Sequence, residues 1–262
     1  AAGLAAHGVG RGDSVGLYLY NGPAYLEGFI AACKLGAVPY NVNYRYRADE
    51  LRYLFGNADS AAIIHGAEFS PIIREIRGDL PRLKVTVAVD DGSGADVTGS
   101  VPYAELLVHE PGGPWPRSED DYMLCYTGGT TGMPKGVMWR QDDLFNVLGS
   151  GGNAVLGIPP AASLEELADR LDPAAPGFVL LSACPLMHGT GQFSSLIAMN
   201  LGGCVVTLPS RHFDVGELLG EVQRNRVNSV IIVGQAFAGP ILERLDAEPG
   251  AFDLSSVLMV SS

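Results

Sequence analysis

The run Tyr126-Thr127-Gly128-Gly129-Thr130-Thr131-Gly132-Met133-Pro134-Lys135-Gly136 gathers residue types suited to holding phosphate oxygens. Its four glycines permit positive φ and let backbone N–H groups come close to a ligand. Thr127, Thr130 and Thr131 add hydroxyl donors, Lys135 adds a point charge, and Pro134 stiffens the chain just before that lysine. An apolar run of strand length, Tyr122–Tyr126, comes immediately before it. A solvated glycine-rich turn needs neither that strand nor the Pro-Lys-Gly that follows, so the run reads as a phosphate cradle. It is not a Walker loop, since no Gly-Lys-Ser/Thr occurs and Lys135 precedes Gly136, nor is it G-x-G-x-x-G. Gly8-Val9-Gly10-Arg11-Gly12 is a near-match to the latter with no strand before it, and reads as a turn.

Such a loop must be positioned by the elements around it, and strand and helix signals alternate along the chain. Ser14–Tyr20 predicts a strand, after which Asn21 caps a helix carrying Leu26, Phe29, Ile30 and Cys33 at helical spacing, stopped by Gly36. Val38–Asn41 is a short strand, and Arg47–Ala58 repeats the stripe with Leu51, Leu54, Phe55 and Ala58. Strand Ala61–His65, a helix near Ser70–Arg77 and strand Val85–Val89 follow. From Asp90 to Asp121, Gly, Pro, Ser and Asp dominate around one helical piece near Tyr103–Leu107, which marks a connecting region. Beyond the glycine loop a helix is expected from about Asp142, then an insertion reaching Gly177 in which Ser163 and Glu166 form a capping box. Strands Phe178–Ala183, Cys204–Leu208, Ser229–Val233 and Val257–Val260 then alternate with helices Gln192–Asn200, one capped by Asp214, and Gln235–Leu245. This alternation implies an α/β fold with two layered lobes of mostly parallel sheet flanked by helices. The first lobe is expected over 1–110 and the second, carrying the loop, over 111–262.

With 262 residues, 47% of them hydrophobic and 18% charged, the chain can bury one large core or two moderate ones. A net charge of −12 argues against a nucleic-acid groove and against polybasic docking on anionic lipid. No apolar run approaches the ~20 residues of a membrane span, so no stable membrane insertion is expected. Cys33, Cys125, Cys184 and Cys204 are far apart in apolar segments and read as buried reduced thiols, which fits the cytoplasm. Ala1–His7 reads as the back half of a helix, and the sequence stops two residues after the apolar run Val257–Val260, so a piece of a longer chain is expected.

The loop resembles the phosphate-binding signature of the adenylate-forming (AMP-binding) superfamily, which includes acyl-CoA synthetases, luciferases and the adenylation domains of peptide synthetases. The usual form has Ser where Gly128 stands, which removes one hydroxyl. Gly36-Ala37-Val38-Pro39, Pro185-Leu186-Met187-His188-Gly189 and Arg211-His212-Phe213-Asp214 resemble further segments of that family. Val137-Met138-Trp139-Arg140-Gln141 looks closest to the fatty-acyl or steroid-side-chain CoA ligases. The resemblance implies an acid–thiol ligase that activates a fatty or similar apolar carboxylic acid with ATP and Mg²⁺, then transfers it to CoA. It implies that Thr127, Gly128, Gly129, Thr130, Thr131, Gly132 and Lys135 hold the phosphates, with Lys135 catalytic. It places His188 and Gly189 beside the acyl group, Gln235 and Phe237 along its pocket, and Arg211 and His212 near the CoA phosphates. It assigns no metal ligand within this chain. The adenine turn, Mg²⁺-binding Glu, ribose-binding Asp and a small mobile domain with a catalytic Lys are all expected beyond Ser262, so this piece alone should not turn over. Enzymes of the family are often dimers, and a homodimer is the assembly the resemblance allows. An amino-acid adenylation domain loading a carrier is the rival reading, disfavoured because Pro185–Gly191 holds no carboxylate to meet a substrate ammonium. A non-catalytic nucleotide-binding module is the reading from a different class.

Overall fold

A computed structural model describes residues 1–129, 132–172, 174 and 177–262. By its contacts the chain divides into two compact units, Ala1–Leu144 and Phe145–Ser262. In the first, α1 (Ala2–Ala6), β1 (Ser14–Tyr18), α2 (Pro23–Lys34), β2 (Val38–Asn41), α3 (Ala48–Asn57) and β3 (Ser60–Gly66) follow one another. They are succeeded by α4 (Ser70–Ile76), β4 (Val85–Val89), β5 (Val101–Pro102), α5 (Tyr103–Leu107), β6 (Tyr122–Gly129) and β7 (Gly132–Arg140). The strands make a seven-stranded sheet in the order β5-β4-β3-β1-β2-β6-β7, parallel throughout except for the antiparallel edge strand β7.

Both faces of this sheet are covered. On one, Leu51, Leu54 and Phe55 of α3 and Ile73 and Ile76 of α4 pack with Tyr18 and Ile63. On the other, α2 comes so close that a Cβ on Gly28 would stand 2.9 Å from Ile64 Cδ1 and 3.0 Å from Leu17 Cδ2, so a larger residue there would make those side chains shift. The α3 stripe falls where the spacing puts it, and Leu51, Leu54, Phe55 and Ala58 are all buried. The α2 expectation needs correcting. The helix begins one residue later, capped by Gly22 rather than Asn21, and Ile30 and Cys33 are only partly buried. Tyr25 and Ala32 take the inner face in their place.

The connecting region contributes β5, which pairs with β4 through Val87↔Val101. Just before it, Ser100 closes a buried polar chain. His65, at the end of β3, donates from Nδ1 to Gly66 O (2.8 Å), leaving Nε2 to accept from Ser100 Oγ (3.0 Å). Ser100 Oγ in turn lies 2.9 Å from Thr86 Oγ1. Burial lowers the pKa of the imidazole, opposed in smaller part by the Gly66 carbonyl and the nearby Asp91.

After α6 (Gln141–Val147), the second unit comprises α7 (Leu164–Arg170), β8 (Val179–Ser182), α8 (Gly189–Asn200), β9 (Cys204–Val206), α9 (Val215–Arg224), β10 (Ser229–Ile231), α10 (Gln235–Ala247) and β11 (Met259–Ser261). The strands form a parallel sheet in the order β11-β10-β8-β9. Successive residues along its central strands point to opposite faces. Leu181 and Val230 join Leu218, Leu219 and Val222 of α9, whereas Leu180 and Ile231 join Phe178 and Ala198 on the other side. The expected insertion packs on this second face through Leu156. Its helix is capped by Ser163, whose Oγ accepts from Glu166 N at 3.1 Å, but the expected box is only half made, because the Glu166 carboxylate accepts from Ala162 N at 2.8 Å. Asp214 caps α9 in the same way, at 2.7 Å from Glu217 N. Cys125 and Cys184 are buried, but Cys204 is exposed, because β9 is the edge of its sheet.

Candidate active site

The described residues of the glycine run close β6 and open β7, which pair as a hairpin, and β7 continues through the Pro-Lys-Gly segment that its composition marks as loop. Tyr126 lies opposite Gly136, Thr127 opposite Lys135, and Gly129 opposite Gly132. Directly opposed side chains share a face of an antiparallel pair, with Cβ atoms about 5 Å apart. Thr127 and Lys135 are therefore neighbours, and both are exposed. Pro134 is tolerated because β7 is an edge strand, where a missing N–H breaks no ladder.

The glycines have different reasons for being there. Gly128, Gly132 and Gly136 do not take positive φ, as the composition had suggested; they are extended. A Cβ on Gly136 would stand 3.1 Å from the Tyr126 ring, so that position is kept small by the aromatic across from it. A Cβ on Gly128 or Gly132 would meet nothing within 4 Å. None of the described residues requires their small size, and they leave backbone accessible beside an exposed lysine. That arrangement fits polyphosphate oxygens. Thr130 and Thr131 lie outside the described residues.

The hairpin is held at its base. Asp121 is buried, accepts from Arg11 Nε (3.0 Å) and Ser118 N (2.7 Å), and its carbonyl accepts from Gln141 N (2.8 Å). Asn41, at the end of β2, pairs through its side chain with both backbone groups of Tyr126, at 2.9 and 2.6 Å. Tyr126 also donates its hydroxyl to Asn57 Oδ1 at 2.6 Å. Burial, then the neighbouring Tyr53, pushes that hydroxyl up to about 12, so it keeps its proton as a donor at neutral pH. A cleft of about 300 Å³ runs along this part of the hairpin, lined by Tyr122, Leu124, Tyr126 and Met138 with Asn57 and Arg82. It does not reach Lys135.

In the second unit, six expected site residues stand on segments that follow the C-terminal ends of parallel strands. His188 and Gly189 come after β8, Arg211 and His212 after β9, and Gln235 and Phe237 after β10. Ligands in open α/β sheets bind beyond those strand ends. His188 is the exposed N-cap of α8, its N–H donating to Pro185 O at 3.1 Å. Arg211, His212 and Gln235 are also exposed, and Gln235 lies along its own helix, 3.2 Å from where a Cβ on Gly239 would be. Phe237 is half-buried, its ring 4.6 Å from that of Phe213 and packed on the core. Burial pushes the Cys184 thiol up to about 11, which removes it as a nucleophile.

Two further residues help to position these groups. One is Asn41, signalled only by a polar residue ending a buried strand. The other is Gly191, where a Cβ would stand 2.7 Å from Pro185 O, so the turn carrying His188 closes only over glycine.

The chain matches the family described as AMP-binding enzyme over residues 1–262. It is 38% identical over 264 residues to the medium-chain acyl-CoA ligase Mig of Mycobacterium avium, an alignment covering 99% of this chain and 47% of that protein. It is 36% identical over 270 residues to a medium/long-chain-fatty-acid–CoA/3-oxocholest-4-en-26-oate–CoA ligase of Mycolicibacterium smegmatis, covering 99% and 48%. The chain thus spans about half the length of these relatives. Among solved structures, the anthranilate CoA ligase AuaEII in complex with anthranoyl-AMP superposes with a TM-score of 0.77 at 22% identity, over 99% of this chain and 47% of that one. The N-terminal domain of FACL13 from Mycobacterium tuberculosis gives 0.67 at 24%, over 98% and 57%. At those identities the likeness speaks for the fold. A family match along the whole chain, relatives above 30% identity and a glycine hairpin with an exposed lysine at its tip agree: the chain belongs to the AMP-binding enzyme family.

Proposed function

We propose that the protein works as an ATP-dependent acyl-CoA ligase that activates a fatty or similarly apolar carboxylic acid. The observation carrying this reading is the hairpin tip, where Lys135 and Thr127 stand side by side in solvent and Gly128 and Gly132 leave open space. In the first half-reaction a carboxylate oxygen bonds to the α-phosphorus of ATP and the bond to pyrophosphate breaks. In the second, the CoA sulfur bonds to the acyl carbon and AMP leaves. Carboxylate and triphosphate repel each other, and charge builds on the departing pyrophosphate. Preorganised donors offset both effects. Thr127, Gly128, Gly129, Thr130, Thr131, Gly132 and Lys135 are the residues proposed to supply them, with Lys135 on the developing charge.

On the second sheet, His188 and Gly189 are assigned to the reacting end of the acid, Gln235 and Phe237 to its chain, and Arg211 and His212 to the CoA phosphates. Mg²⁺ enters through the family alone. The proposal assigns no ligand to it within this chain. A cytoplasmic location and a homodimer belong to the same proposal. No helix among the described residues is long and apolar enough to cross a membrane.

Support for an apolar acid comes from the substrates for which the relatives are named and from the lack of any carboxylate between Pro185 and Gly191. Pyrophosphate release by the full-length protein, screened over fatty, aromatic, sterol-derived and amino acids with and without CoA, tests it. Turnover confined to fatty or sterol-derived acids, with CoA consumed, is the expected result. Release with amino acids alone would overturn it in favour of a carrier-loading adenylation domain.

A further inference from the structure

Strand β2 makes a single backbone register pair with β6, Tyr40↔Leu124. The next link is made by a side chain. Asn41 Nδ2 donates to the Tyr126 carbonyl at 2.9 Å, and the Tyr126 N–H donates to Asn41 Oδ1 at 2.6 Å. Asn41 is 5% exposed, so its carboxamide reproduces both arms of a backbone rung away from water. Tyr126 is the residue immediately before Thr127, and the Tyr40 ring meets its ring edge-on at 5.7 Å.

We propose that Asn41 is a positioning residue for nucleotide binding, fixing the point on the sheet from which the hairpin tip projects and therefore where Thr127 and Lys135 stand. The inference rests on the phosphate-binding reading of that tip. Few side chains can substitute. Leucine has the volume but neither polar group, and an ionised aspartate can accept from the N–H but sets its second oxygen against the Tyr126 carbonyl. A protonated aspartic acid, by contrast, is both donor and acceptor in nearly the same shape.

The test uses full-length protein, with ATP affinity read by calorimetry separately from pyrophosphate release, and with Ser100→Ala, just before β5, as a control for general loss of stability. Asn41→Leu is expected to raise the Kd and KM for ATP by about tenfold or more while the KM for the acid stays put. A merely structural role would lower the active fraction and leave both constants unchanged. Asn41→Asp should bind ATP weakly at neutral pH and regain affinity as pH falls and the carboxyl protonates, a trend absent from the parent; this variant decides the matter if the leucine protein does not fold. ATP constants equal to those of Ser100→Ala, or an aspartate variant without pH rescue, would overturn the proposal. A parent that binds ATP but releases no pyrophosphate with any acid would sink the ligase reading alone, leaving Asn41 to be judged on affinity. A parent that binds no ATP would end both.

Discussion

Lys135 is exposed on an edge strand. Lys135→Ala in the full-length protein should therefore leave the melting temperature nearly unchanged. It should slow adenylation by about several hundred-fold, the ~3–4 kcal/mol typical of one donor aimed at developing charge. Pyrophosphate release equal to the parent would remove Lys135 from the site. His65 makes a prediction of the opposite kind, on stability and not on chemistry. Its folded pKa lies below the ordinary value of 6.5, so the unfolded chain takes up a proton more readily. The stabilisation from neutral His65 is present above about pH 6.5 and is lost as pH falls through that value toward the lower folded pKa. Protonation also reverses the hydrogen bond to Ser100, since Nε2 becomes a donor where it had accepted. Thermal denaturation between about pH 8 and about pH 5 should show His65→Asn declining less steeply than the parent. Parallel curves would mean that the histidine titrates alike in both states.

Among the elements, α8 depends on a glycine for its entry. Alanine within a helix ordinarily gains about 1 kcal/mol over glycine. At Gly191 the added Cβ would press on the Pro185 carbonyl at 2.7 Å, so Gly191→Ala should lower stability and displace the turn carrying His188. The measurement is a melting curve with acid titration; a stabilised variant with unchanged acid affinity would refute it. This dependence also shows what the sequence could and could not convey. The α3 stripe, the caps at Ser163 and Asp214 and the strand runs were legible because each is a local pattern. The β7 strand was not, because Gly132–Gly136 is glycine- and proline-rich, and only its ladder with β6 makes it extended. Nor was β5, a two-residue strand that exists through its pairing with β4. At the site, the residue types of the phosphate loop were readable. The positioning roles of Asn41 and Gly191 were not, since each is defined by a partner distant in sequence or by a close approach that only the folded turn creates.

At the scale of the whole molecule, 262 residues that span about half of their relatives carry the proposed phosphate contacts and acyl-facing residues. Expressed alone, this length is expected to bind ATP no more tightly than about millimolar, near −4 kcal/mol, and to form no acyl-CoA. Calorimetry and a thioester assay check the two parts, and acyl-CoA formed by the isolated chain would show that the chemistry is complete within it. The parallel sheet of the second unit has one further consequence. Its core lies on the two faces, through residues such as Leu181 and Ile231, whereas the proposed acid- and CoA-facing residues sit on segments beyond the strand ends. Selection on substrate preference can therefore rewrite positions such as His188 and Gln235 with little disturbance of the packing that keeps the domain folded. A lineage built on this plan can diversify its acids faster than its fold, with Gly191 as the toll-gate that such drift must leave alone.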